Sequence, residues 1–158
     1  MKHNQNKKEV KEEKGAKGIM KIKLACGTDN EIEFTNEHFG SAKYYLFYEF
    51  DLEKKNIVFL KSINNYTPQE EEEKHGDPKK AKSVSELLEN VSVFVANKYG
   101  PNIKRIKKRF VPIVSRGKNI EKTLSRIKEI NHQIKTEIEK ENRLDKNIIF
   151  IKREDITN

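Results

Sequence analysis

A histidine, a phenylalanine and a glycine stand directly before one of the most apolar runs of the chain. In the stretch TNEHFGSAKYYLFYEFD these residues are His38, Phe39 and Gly40. A neutral imidazole can ligate an exposed metal, and a glycine leaves its backbone open to close approach. His75 and Gly76 form a second pair of histidine and glycine, directly before a predicted helix. Each histidine is therefore a candidate metal ligand, with a structural role in a turn as the alternative.

The remaining candidates are a cysteine, a tyrosine and a third glycine. Cys26 is the only cysteine, so it can form neither an internal disulfide nor a CxxC metal motif. A thiolate would be a soft ligand, although a cysteine at a strand end is more often a buried apolar residue. Tyr99, beside Gly100 in the segment NKYG, could line a pocket, with a core or surface role as the alternative.

The positive charge of the chain is concentrated in one segment. The formal net charge is +8, and residues 98–118 carry 8 basic and no acidic side chains. Such a run is usually a solvated helix face, but it can also be a site for an anion. The nucleic-acid alternative places phosphates on basic side chains and bases on Phe39 or Tyr44. Its basic residues would be Arg105, Lys107, Lys108, Arg109 and Arg116.

Apolar periodicity predicts an α/β domain with a five-stranded mixed sheet. The strands are KIKLACG, the hairpin YYLFYEFD and NIVFLKSI, VSVFVAN and VPIVS. Helices are predicted from Asp77 to Val91, from Pro101 to Phe110 and, as one long C-terminal helix, from Asn119 to Glu141. The run NIIFIK near the C-terminus is either an edge strand or a surface for a partner.

This order of elements places several candidate residues at one edge of the sheet. Ligands of α/β sheets gather beyond the carboxyl ends of the parallel strands, where loops and helix N-termini converge. We expect residues 26–28, the connection containing His38 and Gly40, and residues 97–101 to meet there. The turn containing His75 and Gly76 is a further candidate for this edge.

The quoted segments resemble the dinitrogenase iron–molybdenum cofactor biosynthesis family. The resemblance covers about residues 20–130 and consists of the initial MKI, the HFG before an aromatic strand, the HG before a helix and a glycine loop after the fourth strand. It implies a ribonuclease H-like three-layer α/β/α fold. It also implies noncovalent binding or carriage of a metal–sulfur cluster, with a cluster donor or acceptor protein as a possible partner. The family's GG.G loop is replaced here by NKYG, residues 97–100.

Residue chemistry agrees with a cluster-binding protein that is not an enzyme. An anionic metal–sulfur cluster needs few protein bonds: an imidazole, backbone amides facing sulfide, and basic side chains that offset charge. The cluster-binding set implied by the resemblance and this chemistry is His38, Phe39, Gly40, His75, Gly76, Cys26, Tyr99 and Gly100, with His38 and His75 on the metal. A two-metal nuclease would need a carboxylate in the first strand, which has none before Asp29.

The composition suggests three parts of the chain. Residues 1–19 lack a periodic apolar face and are expected to form a disordered charged tail, residues 20–130 the domain, and residues 131–158 a C-terminal helical extension. No secretory signal or membrane span is evident, which predicts a cytoplasmic protein without a membrane partner. We do not expect nucleic acid as the main partner. A regulatory protein that pairs through its C-terminal helix is the third interpretation.

Overall fold

A six-stranded mixed sheet forms the centre of the protein. The computed structural model describes residues 21–65, 90–101, 103–140 and 147–153. The sheet order is β3-β2-β1-β4-β5-β6. The strands are β1 (Lys21–Thr28), β2 (Tyr44–Asp51), β3 (Asn56–Asn64), β4 (Val93–Ala96), β5 (Val111–Ser115) and β6 (Ile149–Ile151).

The hairpin of β2 and β3 forms where the sequence predicts it. The carboxylate of Asp51 accepts hydrogen bonds from the amides of Glu53 (3.1 Å) and Lys54 (2.9 Å) and so closes the turn. Lys55 follows in the left-handed region with φ 57°. Strand β2 pairs antiparallel with both β1 and β3, whereas β1, β4, β5 and β6 run parallel.

Within the described residues the sheet has six strands instead of the five predicted. The additional strand is β6, which pairs parallel with β5 at the sheet edge. Ile149 and Ile151 are buried while Phe150 is 57% exposed, as alternation along a strand requires. The run NIIFIK therefore contributes an edge strand to its own domain. The broader prediction of a mixed α/β fold is confirmed.

The predicted long C-terminal helix is wrong, because the chain breaks it at Ile130. In the described part of the chain the helices are α1 (Ile103–Arg109), α2 (Ile120–Glu129) and α3 (Asn131–Ile138). Asn119 caps α2 by accepting a hydrogen bond from the Lys122 amide at 2.9 Å. Ile130 leaves helical geometry at φ −105° and ψ 27°, and the buried Asn131 side chain donates to the Leu52 carbonyl at 2.7 Å. This hydrogen bond attaches the start of α3 to the β2–β3 turn, and the chain changes direction there.

The apolar stripe of α2 and α3 packs on the sheet of its own domain. Ile127 and Ile134 are fully buried in one cluster with Leu24 and Ile113. The buried carboxylate of Glu137 accepts hydrogen bonds from the Asn147 amide (2.8 Å) and from Lys140 Nζ (3.0 Å). The stripe therefore fills the core and is not left for a partner helix.

The two faces of the sheet carry separate apolar clusters. Leu24 and Cys26 of β1 point to the face covered by α2 and α3, which we call the helix face. Ala25 points to the opposite face, where it packs with Phe39, Phe94 and the partly buried Phe110. We call this the aromatic face. The period-two alternation of β1 decides which residues reach each face.

Several predicted features lie outside the described residues. These are the N-terminal tail, the candidate residues His75 and Gly76, and the predicted helix from Asp77 except for its last positions. Among the helices that the structure describes, none is long and apolar enough to cross a membrane.

Candidate functional site

A loop on the aromatic face packs against the end of β1. It comprises residues 35–43, the His38 loop, and contains a short 3-10 helix, Phe39–Ser41. A Cβ atom added at Gly27 would lie 3.1 Å from Ala42 Cβ and 3.3 Å from Phe39 Cδ1. Because Gly27 has no side chain, the loop can pack directly against β1.

Phe39 anchors the His38 loop to the sheet. Its side chain is 3% exposed and stacks on Phe94, with ring centroids 4.5 Å apart and an interplanar angle of 18°. Tyr45 and Tyr99 pack at tilted angles, at 5.1 Å and 5.8 Å. The buried Phe39 ring thus attaches the loop to the aromatic face of the sheet. A ring buried in this way cannot serve as the base-stacking platform of the nucleic-acid alternative.

Two buried polar side chains hold the loop backbone. The side-chain amide of Asn65 donates to the carbonyls of Gly40 (3.1 Å) and Ala42 (2.9 Å). The Tyr45 hydroxyl donates to the Phe39 carbonyl at 3.1 Å. No sequence pattern indicated a role for Asn65, since a single asparagine after a strand forms no recognisable motif.

Asp29 fixes both ends of the His38 loop. One carboxylate oxygen accepts a hydrogen bond from the Thr35 hydroxyl at 2.8 Å, and the other accepts from the Lys43 amide at 3.0 Å. In the sequence, only the position of Asp29 directly after β1 pointed to this role. Both carboxylate oxygens are occupied in this way, so Asp29 acts as a positioning residue.

The His38 side chain is exposed and rests on Gly100. The residue precedes the 3-10 helix with extended backbone, φ −62° and ψ 153°, and its side chain makes no capping hydrogen bond. The atoms nearest to a Cβ added at Gly100 are Nδ1 at 3.0 Å and Cε1 and Cγ at 3.5 Å. The Nδ1 edge of the imidazole therefore faces Gly100, and Nε2 lies at the opposite edge of the ring.

The second loop of the site follows β4 and comprises residues 97–101, the Gly100 loop. The Asn97 side chain donates to the carbonyls of Ser115 (2.8 Å) and Gly117 (2.9 Å), which joins this loop to the end of β5. The Tyr99 hydroxyl donates to the Ile113 carbonyl at 3.0 Å, and burial raises the pKa of Tyr99. In NKYG, side-chain ties from Asn97 and Tyr99 hold the loop in place.

The two loops meet at one edge of the sheet, as the order of the predicted strands indicates. The Phe39 amide donates to the Lys98 carbonyl at 3.1 Å, and the His38 ring lies on Gly100. Gly40 is exposed, and a Cβ added there would meet no atom within 4 Å. Neither loop packing nor a positive φ requires a glycine at this position, so the open space beside its backbone is available to a ligand.

Cys26 does not lie with these residues. It is fully buried on the helix face, where burial raises the pKa of its thiol. The expectation that Cys26 joins the loops at the sheet edge fails because the alternation of β1 turns its side chain to the opposite face. A buried protonated thiol of this kind is a core residue and a poor metal ligand.

The basic segment forms an exposed surface beside the Gly100 loop. Lys104, Arg105 and Lys108 are exposed on α1. The other arginines lie over aromatic rings of the protein itself: Arg109 is 5.4 Å from the Phe110 centroid, and Arg116 is 5.9 Å from that of Phe150. The distribution is that of a solvated helix face near the site.

The ligand set available at this edge is small. Across the described ranges, no three His, Cys, Asp or Glu side chains form a group that could hold a metal ion. At this edge His38 supplies a single imidazole, which does not by itself form a metal site built from protein ligands.

Comparison with known proteins bears on this site. A family model described as dinitrogenase iron-molybdenum cofactor matches residues 20–130, which include all of the site's described residues. No curated protein matches the chain.

Proposed function

The chain belongs to the dinitrogenase iron–molybdenum cofactor family, and from this membership we propose that it binds a metal–sulfur cluster noncovalently at the His38 site. The cargo is the iron–molybdenum cofactor, a precursor of it or a related iron–sulfur cluster. Membership by itself supports a role in the biosynthesis or binding of this cofactor. The finer assignment to the His38 site rests on the geometry of the two loops.

The observation that carries the proposal is the position of the His38 imidazole. It is exposed, makes no capping hydrogen bond, and is held against Gly100 with Nε2 on the far edge of the ring. Free imidazole side chains on loops usually sample several rotamers, whereas this ring has a backbone surface to rest on. We assign Nε2 as the atom that ligates an exposed metal of the cluster.

The surroundings suit an anionic cluster that already carries most of its ligands. Bridging sulfides satisfy the inner metal positions, so one imidazole at an outer metal is enough to orient the cargo. The open space beside Gly40 lets a sulfide face approach the backbone. Exposed cations on α1, together with Lys98, contribute favourable long-range electrostatics.

Carriage requires a bond that forms and breaks without covalent change to the protein. A single imidazole at the rim of the sheet meets this requirement, because a competing ligand from a donor or acceptor protein can reach the same metal. We therefore propose a carrier that exchanges its cluster with a protein partner and catalyses no reaction. His75 and Gly76 remain proposed contributors that lie outside the described residues.

The test compares His38→Ala with His132→Ala. His132 is an exposed histidine on α3, remote from both loops, so it controls for the loss of any one imidazole. Each variant is titrated anaerobically with isolated iron–molybdenum cofactor and desalted, and its molybdenum, iron and acid-labile sulfide are then measured. We expect His38→Ala to retain the wild-type fold and to lose cluster affinity by about 10- to 100-fold or more.

His132→Ala should match wild type in both fold and metal content. Equal retention of the cluster by all three proteins would assign His38 to a structural role in the loop and remove the basis for the proposed site. The apo-protein's amide spectrum distinguishes loss of a ligand from loss of the fold.

A further inference from the structure

A concave region lies on the helix face, opposite the His38 site. We call it the groove. It has a volume of about 600 Å³ and lies between β2, β3 and α2. Its lining residues are Glu31, Leu46, Tyr48, Ile57, Phe59, Glu121, Leu124, Ser125 and Lys128. Pockets of about 300–1,000 Å³ commonly accept small molecules, so its size suits a ligand of that class.

Tyr48 brings a hydroxyl group to the groove. The residue as a whole is 8% exposed, but its hydroxyl oxygen, which bonds to no described residue, remains open to solvent. Water at such a hydroxyl can be replaced by a ligand that forms an equivalent hydrogen bond. A ligand bound in the groove can therefore take the place of this water.

An aromatic pair gives the groove an apolar wall. The rings of Tyr48 and Phe59 meet edge to face, with centroids 5.5 Å apart and an interplanar angle of 68°. Phe59 is 54% exposed, a large fraction for a phenylalanine. An apolar ligand that covers this ring would remove that surface from water.

The charged residues of the groove favour a cation. Glu31 and Glu121 contribute two carboxylates against the single ammonium of Lys128. Burial, the nearby Cys26 thiol and the Glu121 carboxylate all raise the pKa of Tyr48, which places Glu121 within electrostatic reach of the phenol. A ligand ammonium between the two would donate to the Tyr48 oxygen and pair with Glu121.

We propose that the groove is a binding site for a small organic amine, with its ammonium between Tyr48 and Glu121 and its apolar part on Phe59. The site is independent of the cluster-binding proposal, since it lies on the other face of the sheet and shares no residue with the His38 site.

The experiment titrates the full chain with 2-phenylethylamine and follows amide chemical shifts. The neutral analogue 2-phenylethanol has nearly the same shape and isolates the contribution of the charge. We expect saturable shifts at Leu124 and Ser125 with a dissociation constant on the order of 1 mM for so small a probe. The alcohol should bind about 5-fold more weakly or worse.

Three variants locate the interaction. Glu121→Gln should weaken amine binding by about 5- to 10-fold, and Tyr48→Phe by about 5-fold. Glu129→Gln is the matched control, because Glu129 is an exposed carboxylate on the same helix that does not line the groove. It should bind the amine as wild type does.

Equal affinity for amine and alcohol, or wild-type affinity in Glu121→Gln, would overturn the proposal. An absence of saturable shifts in the folded wild-type protein would overturn it as well. Because His38→Ala leaves the groove intact, it should keep wild-type amine affinity, which separates this result from the test of cluster binding.

Discussion

Gly100 supports the imidazole of His38: a Cβ atom built on Gly100 would lie only 3.0 Å from His38 Nδ1. The two residues come from separate connections, one after β1 and one after β4, that meet where these parallel strands end. Gly100 thus allows the His38 ring to lie close to a backbone that a side chain at this position would keep away from it.

Gly100→Ala should displace the His38 ring, because the added methyl group is closer to Nδ1 than side-chain atoms normally approach. We expect cluster affinity to fall by about 10-fold, as for loss of a group that orients a ligand, while the fold persists. Imidazole NMR signals of the apo-protein should report the displacement. Unchanged His38 signals together with unchanged cluster affinity would show that Gly100 does not position the ring.

Gly40→Ala separates ligand approach from packing. Nothing lies within 4 Å of the added Cβ, so the apo-protein should unfold in urea at least as late as wild type, with a gain of up to about 1 kcal/mol from the less flexible unfolded chain. If a sulfide face approaches this backbone, cluster affinity should nevertheless fall. A variant that binds the cluster like wild type would exclude Gly40 from the contact surface.

Asn65→Ala should weaken the attachment of the His38 loop to the rest of the domain. The side-chain amide donates to the carbonyls of Gly40 and Ala42 and to the Tyr45 hydroxyl, and the residue is 7% exposed. Its removal leaves buried acceptors unpaired and should cost about 2–3 kcal/mol in urea unfolding. Amide exchange should accelerate in residues 41–43. The exposed Asn56, replaced in the same way, should change stability by less than about 0.5 kcal/mol.

Cys26 predicts a loss of stability at alkaline pH. Burial raises the pKa of its thiol above the usual 9.0, so the unfolded chain ionises first as pH rises. The associated stability is fully present below about pH 9 and is lost above it, by about 1.4 kcal/mol at pH 10. Urea unfolding between pH 8 and about 10 should show a shallower decline in Cys26→Ala than in wild type. Identical slopes would mean that the thiol ionises equally in both states.

Local patterns determined most of the elements that the structure describes. Alternation in β1 and apolar or β-branched runs in β2 to β5 predicted these strands, and Asn119 correctly indicated the start of α2. Parallel strand order also predicted that the His38 and Gly100 loops lie at one edge of the sheet. These features depend on short-range periodicity and capping, which the residues of one segment express by themselves.

Only the tertiary structure decided which residues touch. Cys26 and Phe39 both appeared near the sheet edge, but strand alternation sends Cys26 to the helix face while Phe39 packs on the aromatic face. The break at Ile130 depends on a hydrogen bond from Asn131 to Leu52, 79 positions earlier in the chain. The contact between the His38 ring and Gly100 likewise requires two loops that are distant in sequence to converge. Such contacts arise from long-range packing, so local sequence periodicity does not predict them.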